Sequence, residues 1–107
     1  MKINENMLQF DEVFFNEFNG YSVYFIIDPN DAPDWLKGMF PEKKKIEHFE
    51  LCIELVSGDD MPFVQVSPSK IIKGIHTDYD WRDVDMTEEE LLLILEVAQQ
   101  KINNRRI

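Results

Sequence analysis

The segment from His76 to Asp85 carries the densest group of side chains that could perform chemistry. It reads HTDYDWRDVD, so one histidine is followed by carboxylates that alternate with other residues, two of them aromatic. In an extended chain, every second side chain projects from the same side, about 6–7 Å from the last. We therefore expect Asp78 and Asp80 to lie together on one side of this segment.

Two interpretations differ in what these carboxylates bind. In the first, His76, Asp78 and Asp80 hold a metal ion that prefers oxygen ligands. The segment lacks the Asp-x-Asp-x-Asp-Gly order and the distal glutamate of a calcium-binding loop, and a single histidine among acids is a poor zinc site. We therefore predict no metal and no cofactor.

In the second interpretation, the acidic residues dock on a basic surface of a protein partner, with Tyr79 and Trp81 as anchors. Aromatic residues ringed by polar groups supply much of the binding energy of protein interfaces. The plainer alternative is a solvated loop whose tryptophan packs on the core and whose acids stabilise the start of the next helix. The predicted binding residues are Asp78, Tyr79, Asp80, Trp81, Asp83, Asp85, Glu88 and Glu89.

A second constellation lies on a strand predicted over residues 46–56, where apolar and polar side chains alternate. The face largely exposed to water would hold His48, Glu50, Cys52 and Glu54. On one strand His48 and Cys52 are about 13 Å apart, too far for a histidine to activate a cysteine nucleophile. The sequence also lacks a glycine-rich phosphate loop and the G-x-S-x-G and H-E-x-x-H motifs. We therefore predict no catalytic residues and a protein that is not an enzyme.

The net charge is the strongest statement that the composition makes. The 107 residues include 11 Lys and Arg against 21 Asp and Glu, a net charge of −10 at pH 7. Binding to nucleic acid needs cations at the phosphates, and an anionic membrane surface repels an acidic protein. The charge therefore predicts no direct nucleic-acid binding and no membrane binding, whereas it permits a basic protein partner.

Length and composition indicate one folded domain over residues 1–107. The 44% hydrophobic and 12% aromatic content excludes a disordered chain. The single cysteine excludes an intramolecular disulfide and a cysteine-based zinc cluster. Residues 1–6 lack the apolar run of a secretory signal, and no segment reaches the length of a membrane span. We therefore expect a cytoplasmic protein.

The clearest secondary-structure signal is a helix over residues 88–103. Thr87 is a good N-cap, and Glu90 can complete a capping box. The apolar stripe of this helix comprises Leu91, Ile94, Leu95, Ala98 and Ile102. Leu93 and Val97 fall outside the stripe, so either loops of the same chain cover them or they form the contact of a homodimer.

Asn19-Gly20 between two apolar runs predicts a hairpin, because both residues accept the positive φ of a type I′ turn. A two-residue turn there would give the pairs Phe18–Tyr21, Asn16–Val23 and Phe14–Phe25. After the hairpin, residues 28–42 predict an insertion with one helical turn from Asp34 to Gly38, packed over the sheet. Residues 68–73 are ambiguous between a helical turn and a strand, and the proline at position 68 favours the turn.

The order of strand, hairpin, insertion, hairpin and helix predicts an α+β fold. It would have an antiparallel sheet of four to five strands, a long C-terminal helix packed on one face and a short helical insertion.

For function, we predict a small acidic protein-binding domain that docks on a basic surface of a target. In size, acidity and lack of a catalytic motif the chain resembles small inhibitor and immunity proteins of phages and mobile elements, a likeness of type and not of motif. One alternative is a small-molecule or metal-dependent enzyme with a pocket between residues 28–42 and the sheet. Another is a homo-oligomeric structural subunit with its interface at Leu93 and Val97.

Overall fold

A sheet of antiparallel strands with one long helix across it forms the framework. In this computed structural model the described residues are 3–17, 19–43, 45–55, 62–73, 75–77 and 79–105. The strands are β1 (Gln9–Phe15), β2 (Tyr21–Ile27), β3 (His48–Leu55), β4 (Phe63–Ile72), β5 (Ile75–Thr77) and β6 (Arg82–Asp83). The helices are α1 (Asp34–Gly38) and α2 (Glu88–Arg105), and a 3-10 turn covers Glu5–Met7.

Strands β1 to β4 lie side by side in chain order, and each is antiparallel to its neighbour. The short strands β5 and β6 both pair with the outer edge of β4. Helix α2 packs on β1, β2 and β3. The predicted α+β class, the antiparallel sheet and the C-terminal helix are therefore confirmed, and β6 is a two-residue addition to the predicted strands.

The sheet face under α2 holds the apolar core. On β2 and β3 the inward residues pair in register and are almost completely buried: Val23 with Ile53, Phe25 with Leu51, and Ile27 with Phe49. The helix buries Ile94, Val97, Ala98 and Ile102 in the same cluster. Full burial of one such side chain stabilises the fold by about 1.5–3 kcal/mol, so this layer supplies a large part of the folding free energy.

The buried arc of α2 is rotated from the predicted stripe towards Val97. Val97 is only 4% exposed and belongs to the core, and Leu93 is half-buried against it. Leu92 is a large apolar side chain of α2 that lies on the surface, with 56% of its area exposed. A homodimer through Leu93 and Val97 stays a prediction, and Val97 could join such a contact only by leaving the core of its own chain.

The start of α2 is tied to the N-terminal arm. The Glu90 backbone N–H donates to Thr87 Oγ1 at 3.2 Å, which confirms Thr87 as the N-cap. The Glu90 carboxylate accepts from the Thr87 hydroxyl at 3.1 Å and from the Ile3 backbone N–H at 3.2 Å. Because Ile3, Met7 and Leu8 are buried in the core cluster, this carboxylate fixes an apolar arm against the helix start.

The hairpin between β1 and β2 has a different register from the predicted one. Phe15 lies opposite Tyr21, so residues 16–20 form the loop instead of Asn19-Gly20 alone. Asn16 closes this loop, because its N–H donates to the Gly20 carbonyl and its Oδ1 accepts from the Gly20 N–H, both at 3.0 Å. Asn19 still adopts a positive φ of 57°. The predicted pairs Asn16–Val23 and Phe14–Phe25 were therefore wrong, and Phe18 of the third predicted pair lies outside the described residues.

Residues 68–73 do not form the helical turn that we favoured, since β4 continues to Ile72. Pro68 lies opposite Phe49 of β3. On the other edge of β4, the ladder to β6 ends at Val66 and the ladder to β5 begins at Lys70. Pro68 therefore lies where that outer edge has no ladder partner, which is the place in a strand where a residue without an N–H is tolerated.

The insertion packs as predicted, with its helical turn at α1. Ala32, Leu36 and Phe40 are buried in the core cluster, and the rings of Phe40 and Phe49 lie 6.1 Å apart. These side chains fill the space between α1 and the apolar face of the sheet.

Replacing Glu90 by alanine should lower the free energy of unfolding by about 1–3 kcal/mol, because it leaves the Ile3 N–H without its acceptor and removes a hydrogen bond from Thr87. Glu88→Ala removes an exposed carboxylate from the same helical turn and should change stability by less than about 0.5 kcal/mol. Urea denaturation followed by circular dichroism measures both. Equal effects of the two substitutions would contradict this role of Glu90.

Candidate functional site

The second face of the sheet is buried, whereas the alternation of β3 predicted a face largely exposed to water. Glu50 is only 1% exposed and Cys52 only 2%, and Ser22, Ser67 and Ser69 beside them are also buried. The prediction of a face largely exposed to water was therefore wrong, most clearly at Glu50, although His48 and Glu54 at the strand ends are half-buried. The molecule has a polar layer on this face, opposite the apolar layer under α2.

Two aromatic residues of the predicted docking segment cover this polar layer. Tyr79 and Trp81 stack with their ring centroids 5.3 Å apart, and Trp81 meets Tyr24 edge-on at 6.0 Å. A second edge-on contact joins Tyr24 to Phe14 at 5.9 Å. Burial and a hydrogen bond to Glu50 raise the pKa of Tyr79, so its hydroxyl stays protonated and donates to that carboxylate. Trp81 therefore packs in part on the protein's own sheet, as the alternative interpretation of this segment expected.

Glu54 is held by a hydrogen-bond network at the β1–β2 end of the polar layer. Its Oε2 accepts from the Ser22 hydroxyl at 2.7 Å and from Asn16 Nδ2 at 3.1 Å. The same Asn16 nitrogen donates to the Leu55 carbonyl at 3.1 Å. Burying a carboxylate is costly unless it is hydrogen-bonded, and these donors offset that cost.

Cys52 lies in the middle of the polar layer and is poorly suited to act as a nucleophile. Burial, followed by the charge of Glu54, raises its thiol pKa to about 12. A thiolate is the reactive form of cysteine, and it is scarce at neutral pH when the pKa is so high. Cys52 is therefore a packing residue in this layer.

Arg82 holds in place the covering segment, residues 79–82, which lies over the polar layer. Its guanidinium donates to Asp80 at 2.7 Å and also bonds to the Glu42 carboxylate and the Met39 carbonyl. The same group lies 4.4 Å from the centre of the Phe40 ring, a cation–π contact. The hydrogen bond from Arg82 holds the pKa of Asp80 below its usual value. Residues 79–82 are thus attached to the insertion as well as to β4.

The predicted binding residues separate into three groups. Tyr79, Asp80 and Trp81 take part in the internal contacts above, although Tyr79 keeps 43% of its surface exposed. Asp83 accepts a hydrogen bond from Gln65 Nε2 at 2.9 Å. The side chains exposed around the start of α2 are Asp83, Asp85, Glu88 and Glu89. Asp78 lies outside the described residues.

A shallow groove runs beside these exposed acids, and its volume is about 500 Å³. Val84, Met86 and Leu91 are half-buried on its apolar side, and Phe63 exposes 41% of its surface there. Asp83 and Asp85 line the same groove. Sequence reasoning identified the acids but missed the apolar surface, because Phe63 and Met86 become neighbours only through the pairing of β4 with the chain around β6.

The edge strand β1 is a second exposed apolar surface. Phe10, Phe14 and Phe15 are 45–67% exposed on it. A register shift between Phe10 and Glu12 interrupts the ladder with β2, and Asp11 and Glu12 place two carboxylates at that position. Bulges and charges on an edge strand oppose its pairing with further strands.

Metal-ligating side chains are dispersed in the described part of the chain. Within it, no group of three or more His, Cys, Asp or Glu residues is close enough to hold a metal ion. Neither described helix combines the length and the apolar character needed to cross a membrane.

Comparison with known proteins gives no relative from which a role could be transferred. No protein-family model, no curated protein and no solved structure matches this chain.

Raising the pH above about 9 should destabilise the protein. The Cys52 pKa is about 12 in the folded state against 9.0 ordinarily, so between these values the folded state keeps a proton that the unfolded state loses. The free energy of unfolding then falls with rising pH, by at most about 1.4 kcal/mol per unit from this group. Urea titrations between pH 8 and 10 should show a shallower decline for Cys52→Ala than for the wild type. Identical slopes would contradict the prediction.

Arg82→Gln should loosen the segment over the polar layer. In the wild type the Asp80 N–H donates to Ser67 Oγ at 2.6 Å and the Val84 N–H to the Val64 carbonyl at 3.1 Å. Loss of the anchor should expose both amides, so hydrogen exchange of peptides covering residues 79–84 should become several-fold faster. Lys37→Gln, an equal charge change at an exposed position of α1, should leave this exchange unchanged. Similar exchange in both variants would show that Arg82 is not the anchor.

Proposed function

We propose that this protein is a small, non-enzymatic protein-binding domain that docks on a basic surface of a target, in the manner of an inhibitor or immunity-type protein. The docking surface is the acidic groove, defined by Phe63, Asp83, Asp85 and Leu91 together with Glu88 beside it. We place the protein in the cytoplasm and assign it neither a nucleic-acid nor a membrane partner.

The observation that carries this proposal is the combination of an apolar groove wall with an acidic rim. Protein interfaces concentrate their energy in apolar and aromatic side chains that become dry on binding, while a charged rim sets orientation and partner choice. Phe63 supplies a partly exposed ring, and Asp83 and Asp85 supply the rim. A basic segment with one apolar side chain between lysines or arginines fits both features.

The net charge of −10 supports the same choice of partner. An excess of negative charge accelerates encounter with a basic protein and slows encounter with polyanions, and salt weakens both effects. The electrostatic field of the whole protein therefore favours the approach of positively charged surfaces to the groove.

The geometry changes the roles of three predicted residues. Asp80 is paired with Arg82 at 2.7 Å and with Lys43 at 3.8 Å, so its charge is largely compensated within the chain. Trp81 is engaged with Tyr24 and Tyr79. We therefore assign the charge contacts to Asp83, Asp85 and Glu88, and to Tyr79 a contact at the margin through its exposed part.

An enzymatic role with a pocket between residues 28–42 and the sheet receives less support. Leu36 and Phe40 are buried where that pocket would lie. Cys52 on the other face has a raised pKa, so it is protonated at neutral pH.

The test is a binding experiment with two triple variants that remove the same charge. Protein immobilised in about 10 mM salt, where the Debye length is about 30 Å, is used to capture partners from a cell extract. Asp83→Asn/Asp85→Asn/Glu88→Gln should lose the captured protein. The matched control Glu5→Gln/Glu47→Gln/Glu96→Gln changes three exposed residues elsewhere and should retain it.

The captured protein is then purified and its affinity measured at several salt concentrations. Its Kd should rise steeply with salt and by about tenfold or more in the groove variant. Equal losses of affinity for the captured protein in the two triple variants would show that only the net charge matters. Binding that is indifferent to salt and to the groove variant would refute the proposal.

A further inference from the structure

A cleft of about 520 Å³ lies between the end of the insertion and β4, and it is basic although the protein as a whole is acidic. Lys43 and Lys45 reach it from the insertion, and Lys70 reaches it from β4. Together they are three of the 11 Lys and Arg residues of the chain. Ile46, Pro68 and Tyr79 also line the cleft and give it an apolar and aromatic wall.

Pairing in the sheet and the contacts of Arg82 explain why these groups converge. Ser69 lies opposite His48 at the start of β3, so β4 reaches the level at which the insertion ends. The bond between Arg82 and Glu42 holds the insertion against the covering segment. Glu42 also lines the cleft, and its charge is compensated by this guanidinium. The lysines are thus presented on two elements that the contacts of Arg82 connect.

Ser69 is a buried polar residue in the wall of the cleft. Ser69 is 1% exposed, and in the described structure its Oγ has no hydrogen-bond partner. Ser67, two residues earlier, donates to the Pro68 carbonyl at 2.8 Å and accepts from the Asp80 N–H at 2.6 Å. A buried hydroxyl without a partner destabilises the fold. Ser69 bears that cost at the wall of a cleft lined by three lysines.

We propose that this cleft binds a phosphate-type oxyanion carried by a small organic molecule. The Ser69 hydroxyl donates to one anion oxygen, Lys45 and Lys70 balance the charge of the anion, and Lys43, which also lies 3.8 Å from Asp80, adds to the positive field. Donors placed for a charged acceptor give the stronger class of hydrogen bond. The cleft is much larger than a phosphate ion and lies within the range of small-molecule sites, so the wall formed by Ile46 and Tyr79 contacts the organic part.

The first experiment titrates the protein in low salt with inorganic phosphate, pyrophosphate and phenyl phosphate, followed by two-dimensional amide NMR. Saturable shifts should occur at residues 43–46 and 68–70. Phenyl phosphate should bind more tightly than inorganic phosphate, because only the ester reaches the apolar wall. Tighter binding of inorganic phosphate would remove the organic ligand from the proposal. Absence of saturable binding for all three probes would overturn the site.

Charge variants locate the site. Lys43→Gln/Lys45→Gln removes two cations beside the anion and Lys70→Gln removes one, and each variant should weaken binding by about tenfold or more. Lys37→Gln removes one charge, as Lys70→Gln does, at an exposed position of α1 and should leave the Kd unchanged. Equal weakening by Lys37→Gln would show that only net charge matters and would overturn the site.

Serine variants test the hydroxyl itself. Ser69→Ala should lower phosphate affinity about tenfold while leaving stability unchanged or higher, because it removes a hydroxyl that lacks a partner in the absence of ligand. Ser69→Thr keeps the donor and should retain more affinity than the alanine variant. Equal affinities of the wild type and Ser69→Ala would remove Ser69 from the site. None of these titrations involves a protein partner, so their outcome is independent of the docking surface.

Discussion

The contacts of Arg82 are the constraint on which the polar half of this molecule depends. The guanidinium joins the segment of Tyr79 and Trp81 to the insertion, through a bond to Asp80 on one side and a bond to Glu42 on the other. Each of these pairs is partly exposed, and such pairs contribute little when taken singly. Together with a cation–π contact and a carbonyl acceptor, they fix the position of a segment that has only two residues of strand. The aromatic cover over the second sheet face follows from that anchor.

The buried polar layer favours one register of the strands in the sheet. A slip of one residue between β2 and β3 would turn every side chain of the slipped strand to the other face. Here such a slip would move Glu50 into the apolar core or break the bonds that Glu54 accepts from Ser22 and Asn16. Breaking a buried polar network is more costly than forming it is favourable. The network therefore penalises incorrect registers that an apolar face alone would tolerate.

Local signals predicted the parts of the fold that are decided within a few residues. The cap at Thr87, the one-turn helix at α1 and the alternation of β3 all belong to this class. The sequence did not predict the register of β1 with β2. Asn16, four residues before Gly20, closes a longer loop in place of the two-residue turn expected at Asn19-Gly20. Nor did the sequence predict that Glu50 is buried. The burial of Glu50 depends on Tyr79, 29 positions later in the chain, which lies over β3. The alternation of residues along one strand does not show which other segments cover that strand.

The candidate sites show the same limit, because both combine residues from separate parts of the chain. The acids were visible as a run, whereas the groove also needs Phe63 of β4. Lys43 and Lys45 are close in sequence, whereas the cleft also needs Ser69 and Lys70 of β4. Along β4, the pairing with β6 at Val66 and the pairing with β5 at Lys70 are four residues apart, or about 13 Å. Exposed charges farther apart than the Debye length, about 8 Å at physiological ionic strength, are largely screened from one another. An acidic groove and a basic cleft at separate positions along the outer edge of β4 are therefore compatible in one chain with a net charge of −10.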